Sequence, residues 1–423
     1  MSRVNAILLL AIALAVSPAF SADAPTSTTT RARIVGPQPQ PEPAAQPDDI
    51  DPATGLARST VVRPLREVAP PPGAAPRTLP PAAPNAAPAR PPGIALAGAR
   101  GHIALILPTA SPALGRLAEA VRAGFAAAVQ VAGKDAPAVD VTAVDNEGPA
   151  LLDACRKAQD AGAILVIAAI TRDGATALAH SDCVRQPVLE LNEPQDLSPA
   201  ELPPNLYTVS LSIEQEARQV ALMAVSDGLH AAIVVASPSP LARRIEDAFE
   251  REWSRAAGEV RPVSFSGNPE DAPLLRDRLE NMKGDMVFLA MEPGEARAVR
   301  PYLPPTLPLY GTSLSVNPRA EAIVNLDLQG LRYLEMPWFI QPDHPAVMVY
   351  PQPSTPMSVD QERLYAFGID AFRLAVHMLH GNARRAPLDG VTGRITLETG
   401  NAFLRTLSPA EVDGGHVIPL RPQ

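Results

Sequence analysis

The residues with which this 423-residue chain could do chemistry are few: two cysteines, seven histidines and a scatter of hydroxyls and carboxylates after apolar runs. Cys155 and Cys183 could close a disulfide or stand as two separate buried thiols, since spacing fixes neither Cα separation nor side-chain direction. No CxxC occurs, so a thiolate metal site is not expected. His377 and His380 stand at i, i+3, which could place two ring nitrogens on one helical face. No carboxylate accompanies them in sequence, and solvated helix residues are the simpler reading. Glu292 and Glu295 share the same spacing and suit a first helical turn, where the dipole favours negative charge. No carboxylate pair stands out as general acid and base. GxGxxG, GxxxxGK[ST], GxSxG, SxxK and HExxH are all missing, so dinucleotide and P-loop sites lack support and the common hydrolase and zinc-protease signatures are absent. The expectation is a chain that is not an enzyme and takes no cofactor or metal.

The elements that would position these residues begin after a long preamble. Residues 1–22 read as a secretory signal: Arg3, an apolar stretch from Ala6 to Val16, then small residues around Ala19 to Ala22. An uncleaved anchor is the alternative, but the stretch is short for one. No Cys follows it, so a lipobox anchor in the outer membrane is not expected, and the mature chain should be periplasmic. In that oxidising compartment the cysteine pair leans towards a disulfide. Residues 23–100 hold 18 of the 49 prolines, as in PQPQPEP (37–43) and APPPGAAP (69–76). Proline removes backbone donors and few bulky apolar residues are present, so this segment reads as a disordered tether, either a reach device or a passive spacer. Lys and Arg total 36 against 45 Asp and Glu, a net charge of −9, which argues against nucleic acid as a partner. No apolar run reaches membrane-spanning length, so no span is expected after cleavage.

From Gly101 the texture is that of a folded body. Continuous apolar runs at His102–Leu107, Ala163–Ala168, Ala231–Ala236 and Met286–Ala290 suit strands buried on both faces of parallel sheets. Helical periods alternate with them, at Leu114–Val129, Leu151–Ala161, Leu241–Ala257 and Val359–His380 among others. The alternation predicts α/β architecture: two doubly wound parallel sheets in two lobes with a cleft between them. The lobes are drawn at about 101–208 with 339–385, and about 209–338 with 386–423. Gly393–Glu398 and Gly415–Leu420 read as two antiparallel strands. Ligands of such folds bind beyond the carboxyl ends of the strands, which here carry Ser111, Thr171, Asn192, Ser237, Glu292 and Thr312. A small polar ligand could use them, although each also suits a helix N-cap. Trp338, with Phe339, Tyr333 and Tyr350, concentrates aromatics in a chain with few. That cluster could be a partner-binding surface or hinge-region core.

The segments IALILPTASPALGRLAEAVRAGF (103–125), VLELN (188–192), LPLYGTSLSVN (307–317), DLQGLRYLEMPW (327–338), ERLYAFGIDAFRLA (362–375) and LDGVTGRITLE (388–398) occur in an order that resembles the C-terminal domain of the penicillin-binding-protein activator family, of the LpoA or LppC type. The resemblance implies a type I periplasmic-binding-protein-like fold. It also implies a non-catalytic regulator whose partner is a class A penicillin-binding protein, a bifunctional peptidoglycan synthase. Two features depart from the family pattern: the Pro-rich stretch stands where a helical-repeat domain is usual, and Ala168-Ala169 replaces a Gly-Pro pair after the third strand. A periplasmic solute-binding protein for an amino acid or other small polar ligand is the alternative.

Overall fold

A computed structural model describes residues 101–256 and 258–420; the expected signal (1–22) and tether (23–100) lie outside the described residues. The chain begins with β1 (His102–Leu107), α1 (Gly115–Ala132), β2 (Val139–Ala143), α2 (Pro149–Asp160), β3 (Ala163–Ala168), α3 (Arg172–Ala179), β4 (Val188–Glu190) and β5 (Leu206–Val209). β1, β3 and β4 are buried almost end to end because helices cover both sheet faces. A second series follows: α4 (Ile213–Ser226), β6 (Ala231–Ala236), α5 (Pro240–Arg255), β7 (Glu259–Ser264), α6 (Pro273–Leu279), β8 (Met286–Ala290), α7 (Pro293–Val299), β9 (Leu309–Gly311), α8 (Ala322–Asn325) and β10 (Leu331–Glu335). Then come α9 (Pro337–Ile340), α10 (Val359–Leu379), β11 (Leu388–Asp389), β12 (Arg394–Leu397), β13 (Ala402–Thr406), β14 (Ser408–Asp413) and β15 (His416–Pro419).

Two sheets result. The first runs β11-β12-β13-β5-β4-β3-β1-β2 and the second β15-β14-β10-β9-β8-β6-β7. Each has a parallel core; β11–β12–β13 and β10–β14–β15 add antiparallel pairings at one side. The fold class is therefore the expected α/β arrangement of two doubly wound sheets. The chain passes between the sheets three times: at 210–212, along α9 towards α10, and at Leu407, the lone residue between β13 and β14.

That last crossing corrects the lobe boundary drawn from sequence. Residues 388–406 belong to the first sheet, because β13 pairs in parallel with β5; only 408–419 join the second. The two C-terminal strands are real but are not partners: β12 lies between β11 and β13, and β15 pairs with β14.

The first lobe's helices meet at glycine. A Cβ on Gly124 would overlap the Tyr365 carbonyl, and one on Gly368 the Val121 carbonyl, so α1 and α10 cross at backbone contact. The inward face of α1 is Ala118, Val121, Phe125 and Ala128, while Leu117 is 37% exposed. Phe125 and Phe372 meet edge to face at 5.2 Å. Cys155 on α2 and Cys183 after α3 form a disulfide with Cα atoms 6.2 Å apart. In the second lobe Phe249 stacks on Phe288 at 3.9 Å and on Trp253 at 5.5 Å.

Candidate functional site

The strands of both sheets end towards the region where the chain crosses, so their carboxyl ends form two rims. On the first rim, Ala169 adopts φ 60°, the left-handed region that costs a residue with a Cβ about 1–2 kcal/mol. This is one of the two positions where the family pattern would have Gly-Pro. The turn aims two consecutive amides at one acceptor. Ile170 N and Thr171 N each donate to the Glu147 carboxylate at 2.8 Å, and the Thr171 hydroxyl adds a third bond at 2.5 Å. Thr171 Oγ1 in turn accepts from Gly174 N and caps α3. Asn192 donates to Ile170 O at 2.9 Å and accepts from Glu193 N. Ser111 Oγ accepts from Leu114 N at 3.3 Å. Ser111, Thr171 and Asn192 are thus bonded within their own lobe.

The second rim differs. Ser237 and Thr312 are 3% and 0% exposed, and neither hydroxyl has a hydrogen-bond partner among the described residues. Ser237 does not cap a helix: Ser239 does, accepting from Ala242 N at 3.0 Å. Glu292 is exposed and closes a capping box with Glu295 at the start of α7. The pairing of these two glutamates is structural.

Between the rims lies a cavity of about 300 Å³, lined by Ile170, Asn192, Leu211, Leu241, Leu364 and Phe367, with Arg172, Ser212, Glu214 and Arg244 supplying polarity. The Glu214 carboxylate is bracketed by two guanidiniums at 2.7 Å, Arg172 from α3 and Arg244 from α5. Burial raises this carboxyl, but the hydrogen bond from Arg244 and the charges of both arginines outweigh it and bring it to about 2. Ser212 hydrogen-bonds Glu214 and caps α4. Every polar side chain lining the cavity therefore already has a partner from the chain.

Two deeper groups are unusual. Glu190, at the end of β4, is 0% exposed with neither oxygen hydrogen-bonded among the described residues. Burial, reinforced by the nearby Glu147 charge, pushes its carboxyl to about 9, so it is a neutral acid at pH 7. Glu216 on α4 is raised by burial to about 7, although Ser313 N–H and Oγ–H donate to it. Arg405, fully buried on β13, is lowered by burial to about 10 even with Glu216, Asp370 and Glu335 near it.

Trp338 is 2% exposed, and its indole N–H donates to Glu362 at 2.9 Å. Of the two readings, partner-binding surface or hinge-region core, the burial agrees with the second: Trp338 lies in the second crossover, packed against Tyr365. Among the described residues no cluster of His, Cys, Asp and Glu could hold a metal ion, and no helix is long and apolar enough to cross a membrane. Glu147, Glu190 and the Arg172–Glu214–Arg244 bridge were not singled out from sequence. A carboxylate inside the apolar VLELN was the one visible signal.

A family model described as "LppC putative lipoprotein" matches residues 98–277 and 274–415. Among curated proteins, the chain is 24% identical over 331 residues to "Penicillin-binding protein activator LpoA" of Escherichia coli, covering 67% of this chain and 48% of that one. It is 24% identical to the protein of the same name from Photobacterium profundum, covering 75% and 57%. The chain thus spans about half the length of the curated relatives it matches. Among solved structures, a "putative branched-chain amino acid ABC transporter" from Chromobacterium violaceum matches at 37% identity and TM-score 0.63, covering 74% of this chain and 99% of that one. The C-domain of LpoA from Haemophilus influenzae, "a regulator of PBP1A", matches at 21% identity and TM-score 0.64, covering 76% and 100%; that likeness speaks to fold.

Proposed function

This chain belongs to the LppC family, and from that premise we propose that it is a non-catalytic periplasmic regulator of peptidoglycan synthesis that acts by binding a class A penicillin-binding protein. The observation that carries the reading is the state of the first rim. Its amides and hydroxyls, which a free solute would need, are taken by Glu147 and by neighbouring backbone. Among the described residues, the strongly shifted carboxyls Glu190 and Glu216 are buried away from solvent, where a substrate would not reach them. A rigid surface that alters a partner's activity needs neither an open pocket nor a nucleophile. The relatives named as activators of a penicillin-binding protein support the choice of partner.

The test is direct binding. The mature protein, immobilised, should retain a purified class A penicillin-binding protein in a salt-resistant, saturable manner. No retention at micromolar concentration sinks the reading. A second reading, a solute-binding protein, is favoured by the 37% identity to a protein named as an amino-acid transporter component and by the orphan hydroxyls of the second rim. A saturable thermal shift with a free amino acid, of ~2.7 kcal/mol at 100 times its Kd, would promote it.

A further inference from the structure

The two lobes are joined by more than the covalent crossovers. Arg172 of the first lobe meets Glu214 of the second at 2.7 Å. Arg319, in the loop between β9 and α8, donates through Nε to both Glu362 oxygens at 3.1 and 3.0 Å, and Nη2 also contacts that carboxylate; Glu362 lies in the first turn of α10, on the first lobe. Arg363, beside it on α10, donates at 2.8 Å to Glu335 at the end of β10 in the second lobe, and Glu335 is 1% exposed. The guanidiniums of Arg319 and Arg363 both lie over the Phe339 ring, at 4.9 and 5.4 Å from its centre.

The crossovers are also stitched to one another. Arg405 donates to Ser210 O at 2.7 Å and to Thr392 O at 3.0 Å, linking the first crossover to the loop before β12. Trp338 N donates to Val391 O in that same loop, which Asp370 holds through Val391 N and Thr392 N. Gln219 of α4 donates to Arg405 O at 2.8 Å and accepts from Leu407 N at 3.1 Å, clamping the third crossover.

We propose that these three carboxylate–guanidinium bridges form a latch that holds the lobes in one arrangement without any bound solute. Rotation about the crossovers must separate the bridged pairs. Parting Arg363 from Glu335 would leave a charge buried without its counter-ion, which is strongly unfavourable. Arg405 and Gln219 oppose the same rotation by fixing the backbone at the first and third crossovers. The latch does not depend on the regulator reading: a lobe pair fixed in this way could serve any partner that recognises a constant surface.

The test is pulsed dipolar spectroscopy on the full chain, with spin labels carried by unnatural residues at exposed Lys157 on α2 and Arg251 on α5. The wild type should give one narrow interlobe distance distribution, unchanged by saturating leucine. The triple variant Glu214→Gln, Arg319→Gln, Glu335→Gln, which removes one partner of each bridge, should give a broadened or displaced distribution with unchanged circular dichroism. Arg332→Gln, which breaks only second-lobe contacts to Asp227 and Glu411, should leave the distribution as it was. Should the triple variant not fold, the wild type's single narrow distribution and its indifference to leucine remain the test. Two populations in the wild type, a shift on adding leucine, or a latch-broken variant as narrow as wild type would each overturn the proposal.

Discussion

The two strand-end rims are made of similar residues and are used in opposite ways. The first commits its donors internally: one carboxylate, Glu147, takes two amides and a hydroxyl, and Asn192 ties the neighbouring turn to Ile170. The second leaves Ser237 and Thr312 buried and without partners among the described residues. A solute clasped between lobes draws hydrogen bonds from both. Here only one side has capacity to spare, which is what a fixed scaffold tolerates and a solute trap does not. The lobes also differ in what holds them: a disulfide and a glycine-mediated helix crossing in the first, a stacked aromatic cluster in the second.

The contrast can be tested by variants of graded effect. Reducing Cys155–Cys183, or replacing both with Ser, should cost about 3–4 kcal/mol, from the chain entropy of a 28-residue separation. The loss is read by urea unfolding with and without reductant. A loss under 1 kcal/mol would mean that packing alone holds α2 and α3. Next, Glu147→Ala strands two amides and a hydroxyl on a largely closed rim and should destabilise by about 2–3 kcal/mol. A near-neutral result would show that water or another group readily replaces the carboxylate, and the asymmetry between rims would dissolve.

Glu190 gives a pH test within the first lobe. Its carboxyl is raised to about 9, so the folded state holds a proton that the unfolded chain releases above its ordinary value near 4.5. Its contribution is fully present below that ordinary value and is lost as pH rises from there towards 9. Glu190→Gln should therefore flatten the decline of the unfolding midpoint between pH 5 and pH 8.5. Equal slopes for both proteins would refute the assignment. The smallest effect belongs to the second rim: Ser237→Ala and Thr312→Val remove hydroxyls without a partner among the described residues, and each should change stability by no more than about 0.5 kcal/mol, in either direction. A loss above 2 kcal/mol from either would mean that the hydroxyl has a partner after all, and the two rims would be alike.

Much of the frame could be read directly from residues, for a physical reason. Strands buried on both faces, such as AILVIA and MVFLA, need no partner information to be recognised. β10 (LRYLE) escaped because Arg332 and Glu335 interrupt its apolar run, and those charges are paired through distant segments, Arg332 with Asp227 and Glu411 and Glu335 with Arg363. The C-terminal strands were visible but not their sheets, since Leu407 alone carries the chain across. Thr171 and Asn192 stood out at strand ends. Glu147 did not, because 24 residues separate it from Thr171 and only folding brings them together. Trp338 shows the limit of composition: an aromatic cluster marks importance without saying whether it faces solvent or core.

A regulator that transforms nothing itself must act through a partner enzyme. The most direct test is the rate of glycan-strand polymerisation by a purified class A penicillin-binding protein, measured with increasing amounts of this protein and no added solute. A regulator of this kind should give a saturable rise in rate. A rate that stays flat at every concentration, or one that rises only when a free amino acid is supplied, would contradict it.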